Sequence, residues 1–125
     1  MIDIRKPIPI DDSDMLRITV SAHIQSFTYD IKRYLPDGNG GFQPGHLVAL
    51  GDDETPRCDV AGATLHGARV KVCTTHGGHT ETSQYEIRVD FQIERSSGEL
   101  EGLTTLRIAP GLESGEYRCL TLQFQ

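Results

Sequence analysis

The residues best suited to chemistry lie in one short segment, which holds a cysteine and two histidines. Cys73, His76 and His79 fall close together in the chain, and thiolate and imidazole groups are ligands that zinc prefers. Their spacing matches no common zinc-binding pattern, and a fourth ligand would have to come from elsewhere. Solvated histidines on either side of the Gly77–Gly78 turn explain the segment more simply. We therefore predict no metal site and no cofactor, with these three residues as the candidates should a metal bind.

No other motif indicates catalysis. The chain lacks the Gly-x-Ser-x-Gly elbow of serine hydrolases. Its glycine-rich segment at 38–41 lacks the Lys-Ser/Thr of a phosphate-binding loop. The acidic residues at 52–54 lack the spaced oxygen ligands of an EF-hand loop, so they are predicted to be solvated charges. We therefore expect a protein that is not an enzyme.

Length, composition and charge restrict the class of protein further. The 125 residues fit one domain, and 37% hydrophobic residues with 13 glycines suffice for a thin core, as in a β-sandwich. The net charge is −6, and Lys and Arg are scattered singly or in pairs. A nucleic-acid binder usually carries a basic patch instead. The sequence thus predicts no nucleic-acid partner.

The same survey predicts where the protein resides. No apolar run approaches the roughly 18–20 residues needed to cross a bilayer, and the N-terminal residues lack the apolar region of a signal peptide. The cysteines Cys58, Cys73 and Cys119 are odd in number and widely spaced, which predicts three free thiols in a reducing compartment. We expect a cytoplasmic protein with no membrane partner.

The clearest structural signal begins at Tyr85. From there to Glu94 apolar and polar residues alternate strictly, which indicates a strand with one buried and one exposed face. A turn follows, in which Gly98 can supply a positive φ. A second strand then continues to Ile108. The pattern predicts a β-hairpin.

Further strands are predicted along the rest of the chain. Alternating or short apolar segments occur at 16–24, 46–50, 60–72 and 117–125. About seven to eight short strands separated by turns, with no convincing helix, predict an all-β fold, an antiparallel β-sandwich formed by residues 15–125.

Residues 1–14 are predicted to form an extended N-terminal arm. Pro7 and Pro9 lack the N–H group that a central strand needs. Two interpretations stay open: a disordered tail, or an arm that packs on a neighbouring molecule.

The segment from Ala61 to Ile108 resembles the later half of an immunoglobulin-like domain. It contains a glycine-turn-strand unit at 61–72, the Gly77–Gly78 turn, and the hairpin described above. In immunoglobulin-like domains a tyrosine near the start of this strand closes a corner of the sandwich, and Tyr85 is placed to do so. The same segment is similar to small phage fibre–tail adaptor and neck-type virion proteins. The similarity covers about 50 of the 125 residues. The tryptophan-bearing first strand of such proteins has no counterpart in this chain.

This resemblance implies a non-enzymatic structural component of a phage or prophage particle, in the neck or tail adaptor, either cytoplasmic or assembled in a virion. Such a protein would contact other copies of itself and other particle proteins. The alternative is a monomeric module that binds a protein or a carbohydrate. The residues predicted to make contacts lie in the arm, in one loop and at the C-terminal strand: Lys6, Pro7, Ile8, Pro9, Ile10, Asp37, Asn39, Phe42, Gln123, Phe124 and Gln125.

Overall fold

The computed structural model describes residues 5–22, 27–52, 57–76, 87–108 and 117–125. These residues form a β-sandwich of two antiparallel four-stranded sheets, which confirms the predicted all-β fold. The strands are β1 (Met15–Ala22), β2 (Phe27–Tyr34), β3 (His46–Asp52), β4 (Arg57–Ala61), β5 (Arg69–His76), β6 (Ile87–Glu94), β7 (Leu100–Ile108) and β8 (Tyr117–Gln123). A 3₁₀ turn, Gly62–Thr64, follows β4. No helix in the described segments is long and apolar enough to span a membrane.

The chain passes repeatedly from one sheet to the other. The first sheet has the strand order β4-β1-β6-β7, and the second has the order β3-β2-β5-β8. Only β2–β3 and β6–β7 pair as neighbours in both sequence and space. Every other pairing joins strands that are distant in the chain, so both sheets depend on both halves of the sequence.

The core lies between the sheets and is formed by alternate residues of their strands. In β6 the side chains of Val89, Phe91 and Ile93 are buried, whereas those between them are not. The strict alternation predicted for this segment is therefore confirmed over Val89–Glu94. The other strands contribute in the same way, with Leu16, Ile18, Val20, Ile31, Val70, Val72 and Leu122 fully or almost fully buried.

The turn between β6 and β7 depends on one glycine. Gly98 has a φ of 89°, and its N–H donates to the carbonyl of Arg95 at 2.8 Å. We expect Gly98→Ala to lower the free energy of unfolding by about 1 kcal/mol, because an L-residue is disfavoured at positive φ. A Cβ at this position would meet no atom within 4 Å, so backbone strain is the whole effect.

Urea unfolding followed by circular dichroism measures this cost. Gly102→Ala in β7 is the matched control, since Gly102 has equally open surroundings and lacks a positive φ. Equal destabilisation by the two substitutions would show that φ at Gly98 is not the cause.

The N-terminal segment packs on the chain's own sandwich. The Ile8 N–H donates to the carbonyl of Gln123 at 2.8 Å, and the Ile8 carbonyl accepts from the N–H of Gln125 at 3.0 Å. Ile8, Ile10 and Phe124 are buried in the common core, while Pro7 and Pro9 face outward. The missing N–H groups of the two prolines therefore disrupt no backbone hydrogen bond, because Ile8, which lies between them, makes these bonds. Residues 5–14 thus pack on this chain through the side chains of Ile8 and Ile10.

Two of the three cysteines are joined. Cys73 on β5 and Cys119 on β8 lie directly opposite each other, with their Cα atoms 4.1 Å apart, and form a disulfide. Cys58 on β4 remains a free thiol. The prediction of three free thiols is therefore wrong, because the register of β5 and β8 places two distant cysteines side by side.

Candidate functional site

Charged residues form ion pairs on the outer face of the first sheet. Its ion pairs join residues that lie on that face: Arg17–Glu94 at 2.7 Å, Arg57–Asp59 at 2.8 Å and Arg88–Asp90 at 3.1 Å. The hydrogen bond from the Arg57 guanidinium holds the pKa of the Asp59 carboxyl below its ordinary value.

The outer face of the second sheet carries like charges side by side. Lys32 on β2 and Lys71 on β5 are direct cross-strand partners, and Arg69 lies two residues from Lys71 on the same face. We call these three residues the basic cluster. Within the described segments no carboxylate forms an ion pair with any of them. Like charges placed opposite each other in a sheet are destabilising, and Lys32 and Lys71 form such a pair.

A cleft opens beside the basic cluster. It has a volume of about 280 Å³ and is lined by Tyr34, Phe42, Arg69, Lys71 and Thr121. The guanidinium carbon of Arg69 lies 4.2 Å from the centre of the Phe42 ring. Its Nε donates to Oε1 of Gln123 at 2.8 Å. Arg69 is therefore held on two sides, and the cleft combines cations with aromatic walls.

The loop between β2 and β3 carries Phe42 to this cleft. Oδ1 of Asp37 accepts from the backbone N–H groups of Asn39, at 2.7 Å, and Gly41, at 3.1 Å. Pro36 and Phe42 form an isolated antiparallel bridge. The carboxylate of Asp37 thus folds the loop on itself and fixes the position of Phe42.

Two exposed leucines lie at the margin of the same sheet. Leu47 and Leu50 on the edge strand β3 are 54% and 71% exposed, and we call them the apolar edge. The register of β2 and β3 shifts between Ile31 and Lys32, and the bulge turns Val48 and Ala49 toward the core. The two leucines are consequently left on the solvent side of the second sheet.

The predicted contact residues divide into three groups. Phe42 and Gln123 belong to the cleft or support it, and Asp37 and Asn39 form the loop that holds Phe42. Ile8, Ile10 and Phe124 have side chains that are buried in the core. The side chains of Lys6, Pro7, Pro9 and Gln125 are exposed, away from the lining of the cleft.

The metal-ligand candidates do not come together in the described structure. The sulfur of Cys73 is in a disulfide and cannot act as a thiolate ligand. His79, Tyr85 and the side chain of His76 lie outside the described residues. In the part of the chain that is described, no group of three metal-ligating side chains occurs.

Sequence reasoning missed the basic cluster. One signal was present: Arg69 and Lys71 are two residues apart in a strand, which places both side chains on one face. Lys32 could not be added to them, because its pairing with Lys71 depends on the strand register. No protein family model, curated protein or solved structure matches this chain. Its function is therefore argued from the geometry of the second sheet's outer face.

Proposed function

We propose that this chain is a non-enzymatic structural component of a larger protein assembly. The supporting observation is the difference between the two outer faces of the sandwich. One face carries ion pairs among its own residues, whereas the other exposes Leu47 and Leu50 beside the basic cluster. Exposed apolar side chains on an edge strand favour association with another chain.

The assembly we propose is a phage or prophage particle, with this chain in the neck or tail adaptor. The resemblance of residues 61–108 to such proteins supports this choice. The disulfide gives an edge strand a covalent attachment to the interior of its sheet, which suits a part that carries load between neighbours.

The occupant of the apolar edge is a second copy of this chain. The free side of β3 presents backbone N–H and C=O groups that another β3 can pair with. Such a pairing would run antiparallel about a twofold axis near the middle of β3. It would also cover part of the Leu47 and Leu50 side chains.

We expect the molar mass in solution to rise above the 13.8 kDa of one chain as concentration increases. Size-exclusion chromatography with light scattering measures it. The double variant Leu47→Ser/Leu50→Ser is expected to weaken self-association by at least about tenfold, because burial of two leucines contributes several kcal/mol.

Leu100→Ser is the matched control. Leu100 is also an exposed leucine, 48% accessible, at the start of β7 in the other sheet, and its loss should leave the molar mass unchanged. A protein that stays monomeric at every concentration would contradict self-association, as would an equal effect of Leu100→Ser.

A second candidate function is a monomeric binding module. The cleft lined by Tyr34, Phe42, Arg69, Lys71 and Thr121 favours it, since a small number of polar groups within an aromatic-walled concavity is typical of ligand sites. If this second function is correct, the protein should bind a ligand saturably and should not self-associate.

A further inference from the structure

The basic cluster is electrostatically unfavourable in the isolated chain. Lys32 and Lys71 are direct partners across two central strands, and Arg69 lies on the same face. An acidic chain of net charge −6 has many carboxylates, yet in its described segments none pairs with these three cations. An anion bound between the cations would relieve their repulsion.

Arg69 is positioned before any ligand arrives. The Phe42 ring supports the guanidinium of Arg69 from one side, and Gln123 accepts from its Nε. Its terminal N–H groups are left as donors, and a guanidinium can donate two parallel hydrogen bonds to a carboxylate or a phosphate. Holding Arg69 in this way reduces the entropy lost on binding.

The remaining walls add apolar surface and one hydroxyl. Tyr34 and Phe42 line the cleft, and Thr121 contributes from β8. The loop sits tightly on Tyr34, because a Cβ at Gly45 would come within 2.7 Å of the Tyr34 ring. A volume of about 280 Å³ suits one ring and its anionic substituent, and is small for a folded partner.

We propose that this cleft binds a small organic anion, a carboxylate or phosphate carried on a six-membered ring. Its anionic group contacts Lys71 and Arg69, with Lys32 adding long-range attraction, and its ring lies against Tyr34 and Phe42. The anion is either a free small molecule or an acidic sugar unit of a glycan, since both offer this chemistry. The inference does not depend on self-association, because the apolar edge takes no part in lining the cleft.

The test is a titration followed by two-dimensional NMR of the backbone amides. The probes are phenyl phosphate, benzoate and glucuronate, with benzyl alcohol and glucose as their neutral counterparts. We expect saturable shifts at residues 34, 42, 69–71 and 121, with a dissociation constant on the order of 1 mM for at least one anion. Phenyl phosphate against benzoate separates phosphate from carboxylate recognition, and glucuronate tests the acidic sugar. Raising the salt concentration should weaken binding.

Lys71→Gln should lower the affinity for the tightest-binding probe by about tenfold, because a charge-assisted contact is lost. Arg88→Gln makes the same change in net charge on the outer face of the first sheet, and should leave the affinity unchanged. The amide spectra report directly whether each variant is folded. The Leu47→Ser/Leu50→Ser variant should bind the anionic probes with unchanged affinity. A failure of the assembly proposal can therefore be distinguished from a failure of the anion-binding proposal.

Three results would overturn the inference. One is the absence of saturable shifts in the cleft with every anion at about ten times the expected dissociation constant. Another is equal binding of a neutral counterpart. The third is an equal loss of affinity in Lys71→Gln and Arg88→Gln, which would indicate attraction to net charge alone.

Discussion

Reduction of the Cys73–Cys119 disulfide is expected to lower the free energy of unfolding by about 4 kcal/mol. The two cysteines are 46 residues apart, and the entropy that a crosslink removes from the unfolded chain grows with the length of the loop it closes. The bond also links the edge strand β8 to β5, and the Leu122 side chain on β8 is buried in the core. Unfolding in urea, followed by circular dichroism with and without dithiothreitol, measures the difference.

Cys58→Ala is the control for the loss of a cysteine. Cys58 is a free thiol on the edge strand β4, and burial raises the pKa of this thiol, which makes it a poor nucleophile. This variant should keep the full response to dithiothreitol, whereas Cys73→Ala/Cys119→Ala should lose it. An assay that finds three reactive thiols in the oxidised, unfolded protein would disprove the disulfide.

Arg95→Ala is expected to lower the free energy of unfolding by about 3 kcal/mol. Nη1 of Arg95 lies 2.7 Å from Oδ2 of Asp14, which is only 3% exposed. Its Nη2 also contacts Glu101 at 2.7 Å. Removal of Arg95 leaves the buried Asp14 carboxylate without its ion-pair partner, and the loss of one partner of a buried pair costs more than the pair contributes. The measurement is again urea unfolding, and Arg88→Ala, which breaks an exposed pair, should change little.

The pH dependence of the same variant tests the cause. Burial alone would raise the pKa of the Asp14 carboxyl, but hydrogen bonds from the Asp11 backbone and from Arg95 outweigh it and lower the pKa below 3.8. A lowered folded-state pKa stabilises the protein above the unfolded value, and this stabilisation is lost as the pH falls through the folded value. The difference between wild type and Arg95→Ala should therefore shrink below a pH of about 4. A difference that stays constant down to pH 2 would exclude Asp14 as its source.

In β6 the sequence predicted which face the strand buries, because burial follows from period-two alternation within one segment. Val89, Phe91 and Ile93 show this. The turn at Gly98 also predicted the pairing of β6 with β7. The partners of the other strands were not predictable from alternation. The pairing of β1 with β4 and β6, for example, depends on packing between distant segments.

The same limit explains what was missed at the candidate site. Lys32 and Lys71 lie on strands far apart in the chain, as do Cys73 and Cys119, and each pair meets through register alone. Phe42 was selected in advance because its loop is dense in turn-forming residues. The attachment of the N-terminal segment was not predictable from its prolines, since Ile8 pairs through its own backbone groups with Gln123 and Gln125.

The bridge between Ile8 and Phe124 also bears on how fast this protein folds. It joins the first and last described segments, and contacts between such distant segments are slow to form because the intervening chain must be ordered first. The side of the core that Ile8 and Phe124 close should therefore be completed late in folding. Substitutions there should accelerate unfolding and leave the refolding rate nearly unchanged.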